Sequence, residues 1–366
     1  MPISNWRAPT PRGSDPAPDR AYRVAAYTSS DLAVGVGNEK GRRVFQDLKL
    51  IDFHAHFPIR HDVSHGGRLH SREPRPGGGG AEREAFRQAQ LRRTQEQWRL
   101  AFDFPKPEPE PRSTEEQADR WAAELDHHGI DHIVFVTGRD NDELARAVAM
   151  YPDKFFGMAH HDITRPDAAA ELERAVTQLG LRAYKLLAPT IPVLINDRQF
   201  YPVWETCERL GIPVLIHFGM LGAAGGVSYH PNISPAVLEP VARDFPTVEF
   251  VIPHFGIQHV TDLLFLCWSC PNVMVDSSGS NQWVRWMPYK LTLDDLFQRF
   301  YETIGPERIL FGSDSSWFPR GFALRYLQDQ LRICRFMNMP HQHLQLIFGG
   351  NAARILGLDW DVELSA

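Results

Sequence analysis

Short apolar runs rich in Val, Ile, Leu and Phe alternate along this chain with segments whose apolar residues recur at helical spacing. That alternation is the pattern of parallel βαβ units, whose strands are buried on both faces and need continuous apolar runs. In order, the runs predict strands near 49–54, 131–137, 155–160, 182–187, 212–217, 248–254, 272–277 and 309–314. Eight such units in one chain predict an α/β fold, a closed (β/α)8 TIM barrel.

The helical segments carry ordinary start and stop signals. Ser113 with Glu116 forms a capping-box pattern, Ala118, Trp121, Ala122 and Leu125 share one face, and Gly129 ends the segment. Ser234-Pro235 opens the helix after strand five with proline at its first position. Pro340 to Leu358 reads as a closing helix interrupted at Gly349-Gly350-Asn351.

One connection is abnormally long. The predicted organisation is an N-terminal arm at 1–45 and a barrel domain at 46–360 carrying an insertion at 57–112 after strand one. The insertion holds the flexible Gly77-Gly78-Gly79-Gly80, a helical segment from about Arg83 to Leu100, and a stiff alternation of Pro105, Pro107, Pro109 and Pro111. Leaving the C-terminal end of strand one, it reads equally as a lid or dimer arm and as an extension without chemical work.

The chain has 366 residues and a net charge of -6, with no long basic run, so neither nucleic acid nor an anionic membrane is the expected partner. A small-molecule substrate is. The first twenty residues contain no secretory apolar stretch and no later segment has membrane-spanning character, so a soluble, cytoplasmic protein is expected. Cys207, Cys267, Cys270 and Cys334 do not form a disulfide framework, and Cys267-Trp268-Ser269-Cys270 reads as buried packing thiols.

The candidate chemistry lies at strand ends. Ile51-Asp52-Phe53-His54-Ala55-His56 ends in two histidines at i and i+2, which share a face in a strand and can aim at one metal ion. His217, His254 and Asp314 end the runs Val214–Ile216, Phe250–Pro253 and Ile309–Ser313. In a (β/α)8 barrel, catalytic groups stand at those C-terminal ends. Taken singly, each of these residues reads first as a hydrogen-bonded core polar group, but five gathered together are costly to bury without a cation or a proton transfer.

As a set, His54-x-His56, His217, His254, Asp314 and the terminal Gly350-Asn351-Ala352-Ala353-Arg354 resemble the amidohydrolase superfamily. More narrowly they resemble the amidohydrolase-related branch that includes aminocarboxymuconate-semialdehyde decarboxylase, over about Lys49 to Leu358. The resemblance implies one divalent ion of zinc type, Zn2+, held by His54, His56, His217 and Asp314. His254 would be the acid/base, or a ligand when a second metal is present, and a homodimer is implied. Physically, three imidazoles and a carboxylate leave a position for water, whose pKa such an ion lowers from about 15.7 to ~7. Asp314 can ligate and accept that water's proton, and His254 can protonate a leaving atom.

Lys185, near the end of strand four, has three readings: a carboxylated lysine bridging a second metal, a cation for a substrate carboxylate, or a structural ion pair. Substrate-binding candidates beside the strand ends are His161, Tyr229, His230, Asn281, Trp283, Arg285, Trp317 and Arg320, with His160 and Trp286 nearby. Arginines there suit a carboxylate and tryptophans a flat apolar ligand, while loop packing is the alternative for each. The leading expectation is a metal-dependent hydrolase using metal-activated water. Its alternatives are a non-oxidative decarboxylase of an unsaturated or aromatic acid and a non-catalytic metal-binding barrel.

Overall fold

The structure is a computed structural model that describes residues 48–57, 80–101, 104–109, 112–138, 140–220 and 230–358. All of these belong to one unit, Phe45–Ala366. The N-terminal arm and the glycine run at 77–79 lie outside the described residues.

Eight parallel strands follow one another in chain order around the fold. They are β1 (Ile51–His56), β2 (His132–Thr137), β3 (Phe155–Ala159), β4 (Ala183–Leu187), β5 (Val214–His217), β6 (Phe250–Ile252), β7 (Val273–Asp276) and β8 (Ile309–Leu310). The segment after β8 returns to β1: Phe53 N donates to Phe311 O at 3.0 Å, Asp314 N to His54 O at 2.8 Å and His56 N to Ser315 O at 2.7 Å. The fold is a (β/α)8 TIM barrel.

Strands six and eight are shorter than their apolar runs, for local reasons. Pro253 has no N–H to give the ladder, and His254 turns into the left-handed region at φ 60. After β8, a Cβ at Gly312 would lie 2.8 Å from the Cβ atoms of His54 and Ser278, and Asp314 turns left-handed at φ 56.

Between strands the helices form where their caps lie. The helix Thr114–His128 starts at the Ser113–Glu116 capping box, ends at Gly129 with φ 70, and buries Ala118, Trp121, Ala122 and Leu125. Ser234 caps a short 3-10 turn, Pro235–Leu238, that leads into the helix Glu239–Asp244. In the insertion a helix covers Gly80–Ala101. At the C-terminus, Gly349-Gly350-Asn351 does not interrupt the helix. The helix His341–Gln345 widens into a π turn, Leu346–Gly350, and continues as Asn351–Leu356. Asn351 fastens this region to the barrel by donating to Pro306 O and Ile309 O at 2.7 and 2.8 Å.

Strand alternation divides the apolar residues into two layers. Phe135, Tyr184, Ile216 and Val275 face the helices. Ile51, Phe53, Val134, Met158, Ala183, Leu215, Met274 and Leu310 fill the barrel interior, which Ala352, Ala353, Ile355 and Leu356 close from below. Full burial of each large side chain contributes roughly 1.5–3 kcal/mol. All four cysteines are buried free thiols, and no described helix is long and apolar enough to cross a membrane.

Candidate metal centre and active site

The same alternation that fills the barrel predicts what crowns it. Two residues beyond the inward Met158, Ala183, Leu215 and Met274 stand His160, Lys185, His217 and Asp276. β1 reaches that rim differently. Asp52 pairs with Ile133 and Ala55 with Phe135, so Phe53 and His54 together stand opposite the single residue Val134. This bulge lets Phe53 fill the interior while His54 joins the rim, a familiar use of bulges beside active sites.

The strand-one histidines are oriented from behind. His54 Nδ1 donates to Asp276 Oδ2 at 2.8 Å, leaving a buried Nε2 with no hydrogen-bond partner, 3.9 Å from Asp314 Oδ1. His56 Nδ1 pairs with Thr137 Oγ1 at 2.6 Å, and its Nε2 lies 3.2 Å from the same Asp314 oxygen. His54, His254 and Asp314 offer ligand atoms within 4.8 Å of one another. An orphaned imidazole nitrogen facing a carboxylate and further imidazoles is a donor set that fits a divalent ion.

His217 stands beside this group rather than within it. Its Nε2 donates to Met220 O at 2.9 Å, although its ring lies 4.9 Å from that of His254. The structure therefore gathers His54, His254 and Asp314 with His56 alongside, whereas the resemblance implied His217 in the ligand set and His254 outside it. In the structure the Met220 carbonyl occupies His217 Nε2.

His254 is held by its other side: Nδ1 donates to Ser278 O at 2.6 Å and lies 2.9 Å from Ser278 Oγ. Asp276 connects this residue to His54, because its Oδ1 accepts from Ser278 N at 2.9 Å, from the Ser278 hydroxyl and from His254 N at 3.3 Å. Gly279, at φ 62, closes the corner; an added Cβ would lie 3.0 Å from Asp314 Oδ2 and 3.2 Å from His254 Nδ1.

The electrostatics follow from burial. Desolvation lowers the His54 pKa to about 4 and outweighs the attraction of Asp276, so the ring is neutral near pH 7. Burial would raise the pKa values of Asp314 and Asp276, but neighbouring imidazoles, with His56 bonded to the first and His54 to the second, hold both well below the usual carboxylate range. Burial lowers Lys185 to about 7 against the pull of Asp276 and Asp314, and its Nζ has no hydrogen-bond partner.

The substrate candidates fall in varied places. His161 Nε2 bonds Ala168 O at 2.9 Å and its ring packs on Tyr184 in the outer layer. His230 caps a turn by accepting from Asn232 N, and Tyr229 lies outside the described residues. Asn281 faces Gln330 and Asp329, Trp283 is buried with its Nε1 on Ser280 Oγ, and Arg285 is exposed. Trp317 Nε1 donates to Pro105 O, and Arg320 Nη1 to Asp314 O at 2.7 Å. His160, noted beside the strand-three end, belongs to the rim, and so do Asp276 and Ser278, which the sequence pattern did not single out. The signal for two of them was present, since Val273–Asp276 ends in a carboxylate as Ile309–Asp314 does, and His160 keeps the phase of Met158.

The pattern that defines the family described as Amidohydrolase matches residues 51–358. The chain belongs to the amidohydrolase family. Among relatives of this amidohydrolase, 2-keto-4-carboxy-3-hexenedioate hydratase from Sphingobium sp. (strain NBRC 103272 / SYK-6) is 26% identical over 59% of this chain and 69% of that protein. γ-Resorcylate decarboxylase from Polaromonas sp. (strain JS666 / ATCC BAA-500) is 29% identical over 27% of this chain, a match spanning only 38% of the decarboxylase. The crystal structure of a 5-carboxyvanillate decarboxylase variant from Novosphingobium aromaticivorans, with bound manganese and a nitrobenzoic acid, superposes with a TM-score of 0.55. At 16% identity over 87% of this chain and 99% of that one, it shows the shared fold.

Proposed function

We propose that this amidohydrolase is a metal-dependent carboxy-lyase that removes carbon dioxide without oxidation from an unsaturated or aromatic acid. The relatives support this alternative better than hydrolysis: γ-resorcylate decarboxylase and 2-amino-3-carboxymuconate-6-semialdehyde decarboxylase are named for removing a carboxylate from an aromatic or unsaturated acid. The observation that carries the reading is the meeting at one rim of His54, His254 and Asp314, with the buried Lys185 on the same rim.

In this reading His54, His56, His217 and Asp314 would hold the ion, His217 through the nitrogen that Met220 O occupies in the structure. Bound there, a divalent ion supplies Lewis acidity and orients an anionic substrate. Asp314, held ionised, is a ligand and acceptor and a poor proton donor. His254 is the donor, its Nδ1 anchored on Ser278 O so that Nε2 is the nitrogen left to act. It protonates the carbon that bears the carboxylate, using a π pair of the substrate for the new C–H bond. The C–C bond then breaks, its electron pair restores the π system, and carbon dioxide leaves. Lys185 provides the opposing charge for the substrate anion. The substrate is a small molecule, and zinc is the proposed metal, with manganese the ion in the carboxyvanillate enzyme.

The test is carbon dioxide release from muconate-like and hydroxybenzoate acids by metal-loaded protein, with deuterium from D2O appearing at the vacated carbon. Ester, lactone or amide cleavage without carbon dioxide release would return the hydrolase reading. Metal binding without turnover of either panel would favour a non-catalytic barrel.

A further inference from the structure

We propose that segment 104–109 of the insertion is a clamp that positions Asp314, acting through Phe104 and Arg320. This rests on the reading of Asp314 as a metal ligand. Asp314 sits at φ 56, a conformation that L residues adopt reluctantly and that the surroundings must enforce. Arg320 does so from the far side of the loop, its Nη1 donating to Asp314 O at 2.7 Å and to Ser316 Oγ at 3.2 Å.

Arg320 is in turn placed by aromatic faces. The Phe104 ring centre lies 4.3 Å from the guanidinium carbon, with Trp317 at 5.4 Å and Tyr326 at 5.6 Å. Phe104 is the nearest of the three and comes from outside the barrel's own repeat. The clamp is fastened along its length: Trp317 Nε1 donates to Pro105 O at 3.1 Å and Glu108 N to Phe318 O at 3.0 Å. The Glu108 carboxylate also takes both ends of the Arg120 guanidinium, at 2.8 and 2.7 Å, tying the segment to the helix Thr114–His128. Pro105, Pro107 and Pro109 stiffen the piece between these anchors. Phe104 and Arg320 are thus positioning residues, removed from the reacting atoms by the backbone of Asp314.

The experiment measures the dissociation constant of Zn2+ alone by competition with a chromophoric chelator, and amide hydrogen exchange at 312–316 by mass spectrometry. Phe104→Leu, Phe104→Trp, Arg320→Lys and Asp314→Ala are compared with the unaltered protein. Phe104→Leu and Arg320→Lys are expected to weaken zinc roughly tenfold, the lower end of what loss of an outer partner costs, and to speed exchange at 314–316 with circular dichroism unchanged. Phe104→Trp, which restores an aromatic face, should return both readouts toward the unaltered values. If Phe104→Leu binds zinc as tightly as the unaltered protein while Asp314→Ala loses it, the clamp is wrong and the ligand reading survives. If Asp314→Ala keeps its zinc, the ligand reading falls and the clamp falls with it.

Discussion

The lower and upper halves of the barrel interior are built by the same strands and differ in almost every other respect. Below, Phe53, Val134, Met158, Ala183 and Met274 meet Ala352 and Leu356 in an apolar plug. One inward position higher, the strands present His54, His160, Lys185, His217 and Asp276, and two of these, His54 Nε2 and Lys185 Nζ, are buried polar atoms without a partner. Burying such groups unpaired destabilises a fold, so an apolar layer of equal size would be the more stable choice. The upper half is therefore organised for something other than stability. The lower half supplies the rigid base on which it stands.

Asp314→Ala should give the largest departure between the halves, with activity reduced more than roughly a thousandfold and metal lost together, measured by steady-state turnover and elemental analysis. Met274→Ala probes the plug: stability should fall by about 2–5 kcal/mol in urea unfolding, with activity per folded molecule retained. Loss of metal in that variant would break the division of labour. Asp276→Asn keeps the shape but not the charge behind His54 and should weaken metal binding roughly 10–100-fold. His217→Ala and His254→Ala sharpen the rim itself. The first should lose metal and activity, the second should keep its ion and lose turnover, and equal metal loss in both would refute the proton-donor role.

The smallest effect is the pH dependence of the metal-free protein. His54 and His160 are both lowered by burial to about 4 from 6.5, so the unfolded chain binds more protons between those values. Their stabilising contribution is complete above pH 6.5 and disappears as pH falls through about 4. Asp52, raised to about 7 by burial, acts in the opposite sense between 3.8 and 7. His217, His132 and His161 are lowered by burial in the same sense, so against the one raised carboxylate the melting temperature should drop on acidification from pH 6.5 to 4. A flat profile would mean that the rim is not dry.

Much of the rim was legible in the order of the amino acids. The apolar runs mark all eight strands within a few residues, and Lys185, His217 and Asp314 follow from where those runs end. Less legible was the bulge at Phe53–His54, because a slip in register depends on the partner strand and leaves no mark on β1 alone. That His160 keeps the inward phase while His161 packs in the outer layer illustrates the same limit at one residue's resolution. Asp276 stayed hidden because a single carboxylate after Val275 looks like any strand end until His54 is seen bonded to it.

What the amino-acid order determined by itself was periodic: eight buried strands, the helices with their caps, and a set of imidazoles and carboxylates at the strand ends. That information is local, carried by spacing and by the φ/ψ preferences of short stretches. Which nitrogen of each imidazole faces the cluster, that Met220 O takes His217 Nε2, and that the insertion touches Arg320 were decided only in the folded chain. The first of these rests on bonds such as His54 to Asp276, 222 positions apart. Such pairings depend on register, twist and packing, which no short stretch of sequence contains.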